Sequence, residues 1–279
     1  MIEGQFAAVA AVRAARRDIL QAALAMEARL EEGGRLVYVG AGTSGRLAVQ
    51  DGAELMPTFG WPPERLLLLL AGGEEAMVRA IEGAEDRIEQ AAGLVTSHGI
   101  GPEDVLIAVA ASGATPFTLS CLREGKRRGA LTIGIANNPG APLLAEAHYA
   151  ICLETGSEPI AGSTRMNAAT AQRITLSLLS SLVMIRMGKV YAGLMVEVQA
   201  VNAKLANRRE KMLLHLTGKD LENVRSALQQ TNGNVKLAML LLEGCGLEEA
   251  RQFLECAGGR LRDALALAAS RENETARKV

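Results

Sequence analysis

The chain has 279 residues, with 30 Lys and Arg against 31 Asp and Glu and a net charge near −1. That balance argues against a nucleic-acid binder working through a basic face, and aromatics at 3% argue against a base-stacking platform. The first 30 residues mix Ala with Arg and Glu at helical spacing and lack the basic start and apolar run of a secretory signal. The longest apolar run, 66–71, is too short to span a bilayer. These features predict a cytoplasmic protein that engages neither membrane nor nucleic acid. The four cysteines form no CxxC pair and the three histidines are scattered, so no metal site is expected and reduced thiols are the default.

In chain order, 6–31 reads as an amphipathic helix with Ile19, Ala23, Met26 and Leu30 on one side, ended by Gly33-Gly34. A strand follows at 36–40, then a Gly/Ser/Thr turn and a helix over 45–54. Pro57, Pro62 and Pro63 mark a loop before a second strand at 65–70. Gly72-Gly73 then opens a helix expected over 74–92. A third strand at 104–110 runs into a second Ser/Gly/Thr turn and a helix over 116–128. Strands at 131–136 and 149–153 precede a loop and a long helix over 167–187. Strands alternating with helices, and apolar throughout, predict a mostly parallel sheet covered on both faces. After about residue 209 only short helical patterns remain, broken by Gly or Asn-Gly, with a charged tail expected to fray after Arg271. The expected organisation is therefore an α/β domain over 1–209 and a small helical domain over 210–279.

Two units, "VYVGAGTSGRL" and "LIAVAASGATPFTL", place hydroxyls and bare N–H groups at a predicted helix start. Free amides, the helix dipole and glycine's close approach suit an anion there. Neither loop has the lysine of a P-loop. "GAGTSG" fits a dinucleotide fingerprint, but 71–74 offers no clean acid at the end of the second strand for a ribose. Two such loops on one parallel sheet point to phosphate rather than to ordinary tight turns.

The stretches "GRLVYVGAGTSGRLAVQDGAELMPTFG", "IEGAED", "ASGATP", "GSTRMNAATAQ" and "MGKVYAGLMVEVQAVNAKL" resemble the N-acetylmuramic acid 6-phosphate etherases of the sugar-isomerase (SIS) superfamily, and more distantly the glucokinase regulatory proteins. The resemblance implies a SIS-type three-layer α/β sandwich with a small C-terminal helical domain, whose "TNGNVKLAMLLL" resembles a ubiquitin-associated bundle. It implies a homodimer and a carbon–oxygen lyase that cleaves the lactyl ether of an amino-sugar phosphate, giving N-acetylglucosamine 6-phosphate and D-lactate. Opening the sugar ring acidifies the C2 proton; a base removes it, an acid protonates the departing lactate oxygen, and water then adds at C3. That chemistry needs two proton-transfer groups and no cofactor.

By the same resemblance Glu54 is the acid and Glu85 the base, Thr43, Ser44, Ser112 and Thr115 hold the phosphate, and Glu158 and Ser163 line the pocket. From the residues alone, both glutamates equally suit a solvated helix surface, and Ser163 equally suits the N-cap of the long helix. Glu54 and Glu85 fall on consecutive β–α units and are expected to converge over one sheet edge, with Met56 and Phe59 supplying an apolar pocket for Glu54. The pattern departs from the family at Ala114, where it has arginine, at Asn167, where it has lysine, and at Ala169, where it has glycine. Arg46, Arg165 and Lys189 remain as candidate cations. Superfamily alternatives are a non-catalytic sugar-phosphate regulator and an aldose–ketose isomerase.

Overall fold

The computed structural model describes residues 1–198 and 203–276. Two helices, α1 (Ile2–Ala14) and α2 (Arg16–Glu31), replace the single helix expected over 6–31. Ala15, at ψ 5°, bends the run, but N–H bonds from Ala15 to Ala11 and from Ile19 to Ala15 carry the ladder across. Strand β1 (Leu36–Gly40) leads into α3 (Gly42–Ala53) and the short α4 (Leu55–Phe59), which takes in Pro57 where a loop was expected. Strand β2 (Leu66–Leu70) follows.

The helix expected over 74–92 does not form. Two short 3-10 turns, Glu74–Met77 and Ala84–Asp86, stand in its place, and α5 begins only at Ile88 and runs to Ser97. Gly72, Gly73 and Gly83 all take positive φ, which breaks the helical ladder on both sides of the segment. Glu85 accordingly lies on a 3-10 turn ahead of α5 rather than within a helix.

Next come β3 (Val105–Val109), α6 (Pro116–Arg127) and β4 (Leu131–Ala136). A short α7 (Pro142–Glu146), not foreseen in the sequence, precedes β5 (Tyr149–Cys152) and α8 (Asn167–Arg186). The five strands form one parallel sheet in the order β2-β1-β3-β4-β5. Val37, Val39, Leu106 and Ala108 pack on the face covered by α5 and α6. Tyr38 and its neighbours face the other layer, against α3. By length and composition alone α8 would cross a membrane, at a mean hydropathy of 1.3, yet 56% of that window is buried inside the protein.

A two-strand hairpin, β6 (Val190–Tyr191) with β7 (Leu194–Met195), precedes five helices: α9 (Ala203–Thr217), α10 (Leu221–Gln230), α11 (Val235–Leu242), α12 (Leu247–Cys256) and α13 (Leu261–Ala276). Asp220 and Asn234 cap α10 and α11 through their side chains. The tail expected to fray after Arg271 continues α13 through Ala276; residues 277–279, and 199–202 of the quoted motif, lie outside the described residues.

The chain divides into two compact units, one of Met1–Glu54 with Pro62–Val183, the other of Leu55–Trp61 with Met184–Val279. The division after residue 209 read from the sequence thus falls inside the second unit, whose core also includes Val196, Val198, Met212 and Leu213. Hairpin and helices share that apolar core, so packing groups them although the composition changes later.

Candidate functional site

The chain leaves β1 for β2 on one side and enters β3 on the other, so the carboxyl ends of β1 and β3 form the topological switch point of the sheet, where α/β folds bind ligands. A cleft of about 380 Å³ opens there. From β1, Thr43 and Ser44 line it; from β3, Ser112 and Thr115 do. The structure therefore brings together all four hydroxyl residues expected to hold a phosphate.

Local sequence explains the approach. Gly40 and Gly45 stand back to back where β1 meets α3; a Cβ on Gly45 would lie 2.6 Å from the carbonyl carbon of Gly40 and 2.7 Å from its oxygen. Gly113 holds φ +65°, and a Cβ there would meet that of Ala136 at 2.9 Å. Neither Ala41 before α3 nor Thr115 before α6 caps its helix with a side chain, so two helix N-termini present first-turn amides at this end of the sheet. The Ser112 hydroxyl accepts the Ala114 N–H at 3.2 Å and lies 3.4 Å from the Thr115 hydroxyl, which orders the second turn.

Glu85 lines the same cleft, exposed, with its carboxylate against the start of α3: a Cβ on Gly42 would stand 2.9 Å from Oε1. The absence of that Cβ makes room for the acid. Arg46 also lines the cleft, but its guanidinium is committed to the chain, Nε donating to the Ala76 carbonyl at 2.7 Å and Nη2 to that of Arg79 at 2.9 Å. Arg79 and Thr164 are further lining residues that the sequence did not single out. The one available signal for Arg79 was its place six residues before Glu85.

Glu54 is elsewhere. It follows α3 directly, is exposed, and does not line the cleft. The twelve residues of α3 separate it from Gly42 by about 18 Å along the helix. Within one chain the two glutamates therefore do not converge over one edge, because α3 carries Glu54 back toward the amino ends of the strands. Of the two residues expected to shelter it, Met56 is exposed and Phe59 half-buried.

What anchors the end of α3 is a trio in which half-buried Asp51 meets two buried hydroxyl residues. Asp51 accepts hydrogen bonds from the Tyr38 hydroxyl at 2.9 Å and from the Ser180 hydroxyl of α8 at 3.2 Å. Burial raises the Asp51 pKa, and the charge of Glu54 adds to that; the two hydroxyl donors and nearby Arg173 oppose it. A lone tyrosine in an otherwise aliphatic strand was the only hint of this trio in the sequence.

Glu158 sits on the N-terminus of α8, its two oxygens accepting the N–H groups of Asn167 at 2.8 Å and Ala168 at 2.9 Å. It, rather than Ser163, caps the long helix; neither residue lines the cleft, although neighbouring Thr164 does. Asn167 is buried, its side-chain amide donating to the Ser157 carbonyl and accepting from Gln5 of α1. A lysine there would have to bury its ammonium beneath α1, so Asn167 serves the packing of α1 on α8. Arg165 is exposed, and Lys189 pairs with Glu197 in the second unit.

The cleft thus offers hydroxyls and amides for an anion and one carboxylate for proton transfer. Comparison with known proteins shows the family. Residues 18–126 match the family model "Glucokinase regulatory protein N-terminal SIS domain" and residues 87–183 match "SIS domain". A phosphoheptose isomerase structure from Francisella tularensis superposes with a TM-score of 0.51 at 22% identity, over 66% of this chain and 94% of that one, which supports the shared fold. The chain is 53% identical to an N-acetylmuramic acid 6-phosphate etherase of Deinococcus radiodurans, over 95% of this chain and 87% of that protein. It is 44% identical to one of Streptomyces avermitilis, over 96% and 87%. With such identity along nearly its whole length, the chain belongs to the N-acetylmuramic acid 6-phosphate etherase family.

Proposed function

We propose that the protein is a carbon–oxygen lyase that removes the lactyl ether from N-acetylmuramic acid 6-phosphate in the cytoplasm. One observation carries the reading: a member of this family has Glu85 in a switch-point cleft beside two uncapped helix starts. The phosphate rests on Thr43, Ser44, Ser112 and Thr115, where amides and hydroxyls meet its charge. Glu85 takes the C2 proton of the ring-opened sugar. Glu54 protonates the departing lactate oxygen and then activates the water that adds at C3.

Acid and base must act on adjacent carbons, yet in one chain the Glu85 carboxylate lies against Gly42 at the start of α3 while Glu54 follows its far end, about 18 Å along the helix. Even an extended glutamate side chain does not close that gap. The reading therefore includes a homodimer in which the exposed Glu54 of one copy completes the cleft of the other.

Two measurements test this. Incubation with the substrate and an enzymatic lactate readout tests the activity; absence of lactate refutes it. Mixing inactive Glu54→Gln and Glu85→Gln proteins tests the arrangement. A mixed dimer regains one intact site of two, so random exchange restores about a quarter of wild-type activity. No recovery, after subunit exchange has been verified, would show that each site draws both glutamates from one chain.

A further inference from the structure

Among the described residues, Arg46 and Arg79 are the cationic side chains that line the cleft, and they differ in what their guanidinium groups do. Arg46 spends Nε and Nη2 on the carbonyls of Ala76 and Arg79, and so clasps the first 3-10 turn and the backbone just after it against α3. That clasp fixes the main chain of Arg79 at the cleft. The Arg79 side chain itself is 74% exposed and makes one ion pair, to Glu75 at 3.2 Å. An exposed pair of this kind is weak and readily exchanged. Arg79 is thus a cation with an anchored backbone and an available head.

The substrate carries two anionic groups. The hydroxyls and uncapped amides occupy the side of the cleft formed by the loops after β1 and β3, and there position 114 is alanine and offers no charge. The segment bearing Arg79 follows β2 and contributes Ala80 and Ile81 beside it, with no hydroxyl among these three. A planar guanidinium matches a carboxylate through two parallel hydrogen bonds.

We propose that Arg79 is a specificity-determining residue that grips the lactyl carboxylate of the substrate, while the hydroxyl-lined turns take the phosphate. This rests on the functional reading above and extends it to how the enzyme tells substrate from product, since the product sugar has lost its carboxylate.

The test compares the two sugars on one protein. In a Glu85→Gln background, which blocks turnover, calorimetry measures binding of N-acetylmuramic acid 6-phosphate and of N-acetylglucosamine 6-phosphate. Adding Arg79→Ala should weaken the first by about 10- to 100-fold, the loss expected for a charge-assisted pair. It should leave the second within roughly twofold, because that ligand makes no such pair. Arg79→Lys should recover part of the loss. Equal weakening for both sugars would assign Arg79 to the phosphate, and unchanged binding of both would make it a surface charge; either overturns the proposal alone. If the protein with Arg79 intact binds neither sugar, the functional reading fails and the proposal with it. The exposure of Arg79 keeps folding out of the comparison, which matched thermal melts verify.

Discussion

Replacing Glu158 separates a structural role from a ligand role at a residue that the family pattern assigns to the pocket. Its carboxylate accepts two backbone N–H groups, from Asn167 and Ala168, and both residues are only 2% exposed. Glu158→Ala leaves those donors without a partner and without access to water. A hydrogen bond to a charged group contributes about 1.5–3 kcal/mol, and a negative charge at a helix start adds about 0.3–1 kcal/mol. Because both bonds share one carboxylate, their contributions are not additive, and the expected loss is roughly 2–4 kcal/mol. In a unit of this size that lowers the melting midpoint by roughly 4–16 °C. Glu158→Gln keeps one good acceptor and should lose about half as much. The assay pairs thermal melts with substrate affinity measured below the transition. Glu158→Gln should bind substrate within about twofold of wild type. A Glu158→Ala protein that melts like wild type but binds substrate at least about tenfold more weakly would refute the reasoning and return the residue to the ligand.

Other consequences can be measured separately. Gly45→Ala drives a Cβ into the Gly40 carbonyl, a backbone neighbour that cannot rotate away, and should cost about 1–3 kcal/mol while weakening substrate binding as Thr43 and Ser44 shift. Gly93→Ala, in open space within α5, should instead stabilise by about 0.5–1 kcal/mol with activity unchanged; a melt that moves the other way would contradict the placement. Tyr38→Phe removes a donor from Asp51. Burial already raises the Asp51 pKa above 3.8, so the folded state holds that proton longer, and stability is lost as pH rises through the interval between the unfolded and folded values. Without Tyr38 the interval extends upward. The variant should therefore be about 1.5–3 kcal/mol less stable at neutral pH and approach wild type below about pH 4; an equal deficit at every pH would mean that Asp51 is not the group involved.

The sequence by itself determined the sheet. The strands at 36–40 and 131–136 lie as read, and those at 65–70, 104–110 and 149–153 differ by a residue at one or both ends; the inner strands β1, β3 and β4, buried at every position, must be apolar nearly throughout. It also placed glycine and hydroxyl residues at the ends of β1 and β3, although the first group forms the opening turn of α3 from Gly42 rather than a separate turn ahead of a helix at 45. Tertiary structure decided what sequence patterns do not encode. The helical-looking segment 74–92 opened into 3-10 turns once three glycines took positive φ, and that placed Arg79 and Glu85 in the cleft. Glu158 and Asn167 became parts of the frame because both serve the buried start of α8, a long-range arrangement invisible to local pattern. The separation of Glu54 from Glu85 follows from the direction of α3, which runs from one end of the strands toward the other. Local propensity settles which residues form an element; only packing settles which ends of those elements meet.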